Sequence, residues 1–93
     1  MMQAGKLYEL VKPRMLDAIV FNDNFQIVAT LTHGSIFVIL EIVGEYPTEE
    51  YIKMLSVNDN FDRLNDKIYK IRILTSDGFI GLTSLWNDEL KQK

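Results

Sequence analysis

The chain reads as a mostly β protein, a small antiparallel barrel of five or six strands with a short helix in an insertion, and three observations point there. The first is the stretch 67–82, KIYKIRILTSDGFIGL, in which two β-prone runs flank Asp77 and Gly78. An Asp-Gly pair between such runs is the strongest short-range hairpin signal a sequence carries, and it predicts a two-residue turn of type I′. The second is the run 36–43, IFVILEIV, β-branched or aromatic at most positions and interrupted only by Glu41. Such a run suits a central strand covered on both faces. The third is the spacing of turn signals, Asn22-Asp23-Asn24 and Thr32-His33-Gly34-Ser35, between short apolar stretches. Asn and Asp bond their own backbone in turns and tolerate left-handed conformations.

Taken in order, residues 5–12 (GKLYELVK) predict a first strand, closed by Pro13, which cannot donate to a central ladder. Residues 15–21 (MLDAIVF) are apolar and fit either helix or strand. Residues 25–31 (FQIVATL) alternate, which predicts a strand with Phe25, Ile27, Ala29 and Leu31 on one face. In the central strand the same rule puts Ile36, Val38, Leu40 and Ile42 on one face and Phe37, Ile39 and Val43 on the other, with Glu41 among them.

Residues 44–66 form the insertion. Thr48 followed by Glu49 and Glu50 has the pattern of a helix N-cap with acids in the first turn, and Glu49 and Lys53 stand four apart in the favourable order. A short helix over 48–55 is the first reading, and a strand, EYIKML, is the alternative. Residues 57–66 are polar and loop-like, with Phe61 and Leu64 as anchors onto the core. In the hairpin, Tyr69, Ile71 and Ile73 face one way and Lys70 and Arg72 the other. Gly81, inside the partner strand at 79–83, signals a bulge or a close backbone approach. Residues 86–90 predict a short helical turn, and the tail Lys91-Gln92-Lys93 is expected to fray.

This order is strand, irregular arm, strand, turn, long apolar strand, insertion, hairpin and helical turn. It resembles the Src-homology-3-like (SH3-like) barrels, above all their small bacterial and phage versions. The residues that carry the resemblance are His33-Gly34-Ser35-Ile36-Phe37-Val38-Ile39-Leu40-Glu41 and the pair Tyr69-Lys70-Ile71-Arg72-Ile73-Leu74 with Asp77-Gly78-Phe79-Ile80-Gly81-Leu82. Leu82 stands where the bacterial modules often carry Trp, and the insertion at 44–66 is longer than usual. Trp86 falls after the hairpin, so no proline-rich-peptide groove is implied. The resemblance implies a non-enzymatic binding module, an accessory protein of bacterial or phage origin.

Ninety-three residues fit one domain, taken here as 1–93, and 47% apolar with 25% charged is a globular composition. With no cysteine there is no disulfide framework and no thiolate metal site, which suits a cytoplasmic protein. The N-terminus carries no apolar segment of a secretory signal, and the run at 36–43 is too short to span a bilayer, so no membrane association is expected. The net charge is −3. Nucleic-acid binders need a basic stripe, and only Lys67, Lys70 and Arg72 stand close together, so a nucleic-acid-binding barrel is the second reading.

No motif carries catalysis, and no cofactor is expected. Asn58, Asn60, Asp62 and Asp66 mimic part of a calcium loop, but Arg63 stands where glycine is required and Tyr69 where a bidentate Glu is required. His33 is the sole histidine, in a turn, and neither it nor Ser35 has an orienting partner in a known motif. The expected function is protein binding, through aromatic residues at turns and strand ends: Tyr8, Tyr46, Phe79 and Trp86. The surface would be the arm at 13–24 together with the insertion. Open strand edges make self-association into a homodimer the other partner expectation.

Overall fold

A computed structural model describes residues 2–11, 18–47 and 67–93. They form one curled antiparallel sheet of seven strands: β1 (Leu7–Leu10), β2 (Ala18–Phe21), β3 (Ile27–Leu31), β4 (Ile36–Pro47), β5 (Lys67–Thr75), β6 (Ile80–Trp86) and β7 (Leu90–Gln92). The order across the sheet is β3-β2-β6-β5-β4-β1-β7. A single 3-10 turn, Asn87–Glu89, joins β6 to β7, where the sequence places a helical turn. The helix expected at 48–55 and the anchors Phe61 and Leu64 lie outside the described residues.

The all-β reading holds, with seven strands rather than five or six. The additional strand is β7. The tail expected to fray is instead paired with β1, Tyr8 against Gln92 and Leu10 against Leu90. The Lys93 amide donates to the Leu7 carbonyl at 2.9 Å, and the Lys93 ammonium meets Glu9 at 2.8 Å. A lysine-rich tail looks solvated by composition; a ladder and an ion pair hold it here.

The concave face carries the core. Tyr8, Leu10, Val20, Leu31, Phe37, Ile39, Ile71, Ile73 and Leu85 are buried together, with Met2 beneath them. Tyr8 and Phe37 are ladder partners, and their rings stack with centroids 6.5 Å apart. Burying this many large side chains, each contributing about 1.5–3 kcal/mol, is the main force holding the curl.

Three bulges break the alternation that the sequence implies. In β4 the register shifts between Ile39 and Glu41 and again between Ile42 and Gly44. Each extra residue inverts the facing that follows. Glu41 therefore lies opposite Arg72 on the convex face, whereas Ile42 lies opposite Ile71 on the concave one. The two-sided burial expected for this strand is also not observed, since Leu40, Ile42 and Val43 are exposed. In the β2–β3 pair, Val20 faces Ala29 while Phe21 faces Ile27, so Val28 is the extra residue. Val28 and Ala29 both pack on the core, and Ile27 is turned to the convex face. Phe25, Ile27, Ala29 and Leu31 thus do not share a face.

The β5–β6 hairpin is where the sequence puts it, but its turn is not type I′. Gly78, at φ 89°, is the one residue of that turn with positive φ. The Gly78 amide donates to the Thr75 carbonyl at 3.0 Å and the Thr75 amide to the Phe79 carbonyl at 2.8 Å. This is a three-residue connection, a β-turn followed by a left-handed glycine. The Thr75 hydroxyl stabilises it by accepting from the Phe79 amide at 3.0 Å.

Candidate interaction surface

Antiparallel ladder partners share a face, so the register defines what the convex surface presents. One row runs Leu7, Val38, Leu74, Ile80 across β1, β4, β5 and β6. The next runs Glu41, Arg72, Leu82, Phe21, Ile27 across β4, β5, β6, β2 and β3. Together they place Ile80, Leu82, Phe21 and Ile27 side by side. Ile80 is 55% exposed and Ile27 62%. Contiguous exposed apolar surface is where interaction sites are sought.

At the free end of this patch lies Phe25, 83% exposed and held at φ 59°. Its turn repeats the β5–β6 turn bond for bond. The Phe25 amide donates to the Asn22 carbonyl at 3.1 Å, and the Asn22 amide to the Gln26 carbonyl at 2.9 Å. The Asn22 side-chain oxygen accepts from the Gln26 amide at 3.0 Å, as the Thr75 hydroxyl does for Phe79. Phe25 therefore occupies the position that Gly78 occupies in the other turn. A non-glycine residue in this conformation costs about 1–2 kcal/mol, and only Asn or Asp adopts it readily.

The sequence-derived binding residues divide. Tyr8 is 3% exposed and belongs to the core, its hydroxyl accepting from the Gln3 amide at 2.7 Å. Trp86 is 8% exposed, and its amide donates to the buried Glu89 carboxylate at 2.9 Å. Tyr8 and Trp86 are thus not the exposed aromatics expected from their positions near strand ends: Tyr8 faces inward by alternation, and Trp86 is paired with the buried Ile68. Tyr46 is half-buried, the other ladder partner of Ile68, with its hydroxyl folded over Gly44, where a Cβ would stand 3.3 Å away. Phe79 alone is open, 48% exposed beside Ile80. The register brings Tyr46, Ile68 and Trp86 into one row but leaves Tyr8 and Phe79 elsewhere. The arm at 13–24 is described only from Ala18 onward.

Sequence reasoning missed Phe21, Phe25 and Ile27 as surface residues because period-two alternation puts Phe25 and Ile27 on one face with Leu31, which is buried. The one sequence signal for Phe25 is its position directly after Asn22-Asp23-Asn24, a turn with no glycine to take the left-handed step.

The basic residues do not form a stripe. Lys67 lies on the concave side of β5 by alternation and bonds Glu45 at 2.9 Å, a contact that raises its pKa above the usual 10.5. Arg72, on the convex side, meets Asp23 at 3.4 Å and Glu41 at 3.6 Å. Two of the three cations are thus matched by carboxylates within the sheet. Glu9 is held below the usual 4.5 by its hydrogen bond from Lys93 and by that lysine's charge. Among the described residues no cluster of three or more His, Asp or Glu side chains is placed to hold a metal, and no helix is long and apolar enough to cross a membrane.

The chain matches no family model, no curated protein and no solved structure.

Proposed function

We propose that this protein is a non-enzymatic protein-interaction module, built on an SH3-like variation of the small β-barrel, that binds through the convex face of its sheet. The observation that carries this reading is the contiguous apolar surface of Phe21, Ile27, Ile80 and Leu82, flanked by Phe25 and Phe79. Burial of such a surface releases about 25 cal/mol for each Å² removed from water. Support for the SH3-like assignment comes from the order of elements: a first strand, a long bent β4, a hairpin and a 3-10 turn before the last strand. The ion pairs of Lys67 and Arg72 speak against a phosphate-binding role, because a cation already matched gains little from a phosphate. A cytoplasmic accessory protein fits the cysteine-free composition.

The test is site-specific photo-crosslinking in lysate. A photo-reactive residue at position 80 gives a discrete protein adduct, and the same residue at position 91, at the far edge of the sheet, gives none. Absence of an adduct at position 80, or equal labelling at both positions, overturns the reading.

A further inference from the structure

We infer that the β3 edge is a self-association site, at which a second copy of this chain adds its own β3 in antiparallel pairing. The inference goes beyond the interaction-module reading: the β3 edge adjoins the convex face at Ile27 but makes a separate contact.

Among the described residues the sheet ends in two edges, β3 and β7. Unpaired edges invite other strands, and natural sheets guard them with lysine, proline or distortion. The β7 edge is guarded by Lys91 and Lys93. The β3 edge has only the distortion at Val28: residues 25–31, FQIVATL, contain no charge and no proline. Among the described residues β3 pairs with β2 alone, and no other strand takes up the backbone donors and acceptors of its outer side.

Three features favour a second copy over another extended segment. Two β3 strands side by side bring no like charges together, whereas two β7 strands would oppose lysines. Antiparallel pairing of one edge with itself is isologous, so a single two-fold axis satisfies both copies and the contact closes at a dimer. The end of β3 carries Phe25, which in this pairing extends past the strand toward the 32–35 turn of the second copy. That turn is compact and holds no Asp, Glu, Lys or Arg, with the Ser35 hydroxyl accepting from the Thr32 amide at 2.9 Å. Phe25 holds a conformation for which the matching turn uses glycine, and backbone strain of this kind persists where a contact requires it.

The area sets the strength. Phe25 and Ile27 together expose roughly 250 Å² per copy, given side chains of about 150–250 Å². With the backbone of five residues added, the interface stays below about 1,200 Å² in total, the range of weak and reversible complexes.

Sedimentation equilibrium on the full chain tests this. The wild type forms a concentration-dependent dimer in the micromolar range. Ile27→Lys and Thr30→Lys each raise the dissociation constant at least about tenfold, since each puts two lysines into a short ladder that otherwise holds no charge. Lys91→Gln leaves it unchanged. Thr30 is exposed, so its variant keeps the test available should Ile27→Lys fail to fold. A wild type that stays monomeric to about 1 mM overturns self-pairing, as does a dimer indifferent to both lysines. The crosslinking adduct separates this failure from that of the broader reading. An adduct of another protein at position 80, from a monomeric chain, overturns the dimer and keeps the module. No adduct and no dimer overturns both.

Discussion

Replacing Gly81 by alanine should loosen the attachment of the β2–β3 hairpin to the rest of the sheet. An added Cβ would stand 2.6 Å from the Phe21 carbonyl oxygen and 2.6 Å from a Val20 methyl. Ordinary carbon–oxygen contacts are about 3.2 Å or more, so β2 must retreat by roughly 0.6 Å. The nearer obstacle is backbone, and Val20 is a fully buried core residue, so neither can swing aside. Overpacking of this kind costs about 1–3 kcal/mol. A strained ladder hydrogen bond at Phe21–Leu82 adds about 0.5–1.5 kcal/mol. Alanine recovers about 0.5–1 kcal/mol of backbone entropy in a strand. The net is a loss of about 2 kcal/mol. Urea unfolding followed by circular dichroism reads this as a midpoint about 2 M lower, for a slope near 1 kcal/mol/M. A loss below about 0.5 kcal/mol would show that β2 does not press on Gly81 as the geometry requires.

Other outcomes follow from the same geometry. Phe25→Gly relieves the left-handed strain and, after the entropy that glycine adds to the unfolded chain, is neutral to about 1 kcal/mol stabilising in thermal melts. Gly78→Ala at the matching position destabilises by about 1 kcal/mol in the same assay, although no atom lies within 4 Å of its added Cβ. Thr75→Val removes the acceptor for the Phe79 amide and costs about 1 kcal/mol in urea unfolding. The lowered pKa of Glu9 means that its contribution is present above pH 4.5 and is lost as pH falls through the folded value. Lys93→Met should therefore flatten the acid limb of a stability–pH titration.

The β class, the β5–β6 hairpin, the close approach at Gly81 and the inward set Tyr69, Ile71 and Ile73 were legible because each rests on a local rule. Alternation works along β5, which has no bulge in its pairing with β6. It fails at Leu40, Val43 and Val28, because a bulge is decided by the partner strand and not by the residues that form it. The candidate surface went unread for the same reason: Phe25 and Ile27 look like core until Val28 inverts the face. The turn at Asp77-Gly78 was located but mistyped, since the Thr75 hydroxyl favours a longer connection that the Asp-Gly pair alone does not suggest. The pairing of β7 was hidden because its acceptor, β1, is some eighty residues away in the chain.

Among the described residues the β2–β3 hairpin joins the sheet through one ladder pair, Phe21 with Leu82. Every other strand boundary is held by at least three. A unit with so short a ladder, held otherwise by the packing of Val20 and Leu31, can open while the remainder stays folded, so its amides should exchange with solvent through a sub-global event and not through full unfolding. The β3 amides then exchange faster than those of β5, and the margin narrows as mild denaturant speeds the global opening more than the local one. Whatever settles on the β3 edge stabilises this weakest hinge of the domain, and protection gained there reports occupancy directly.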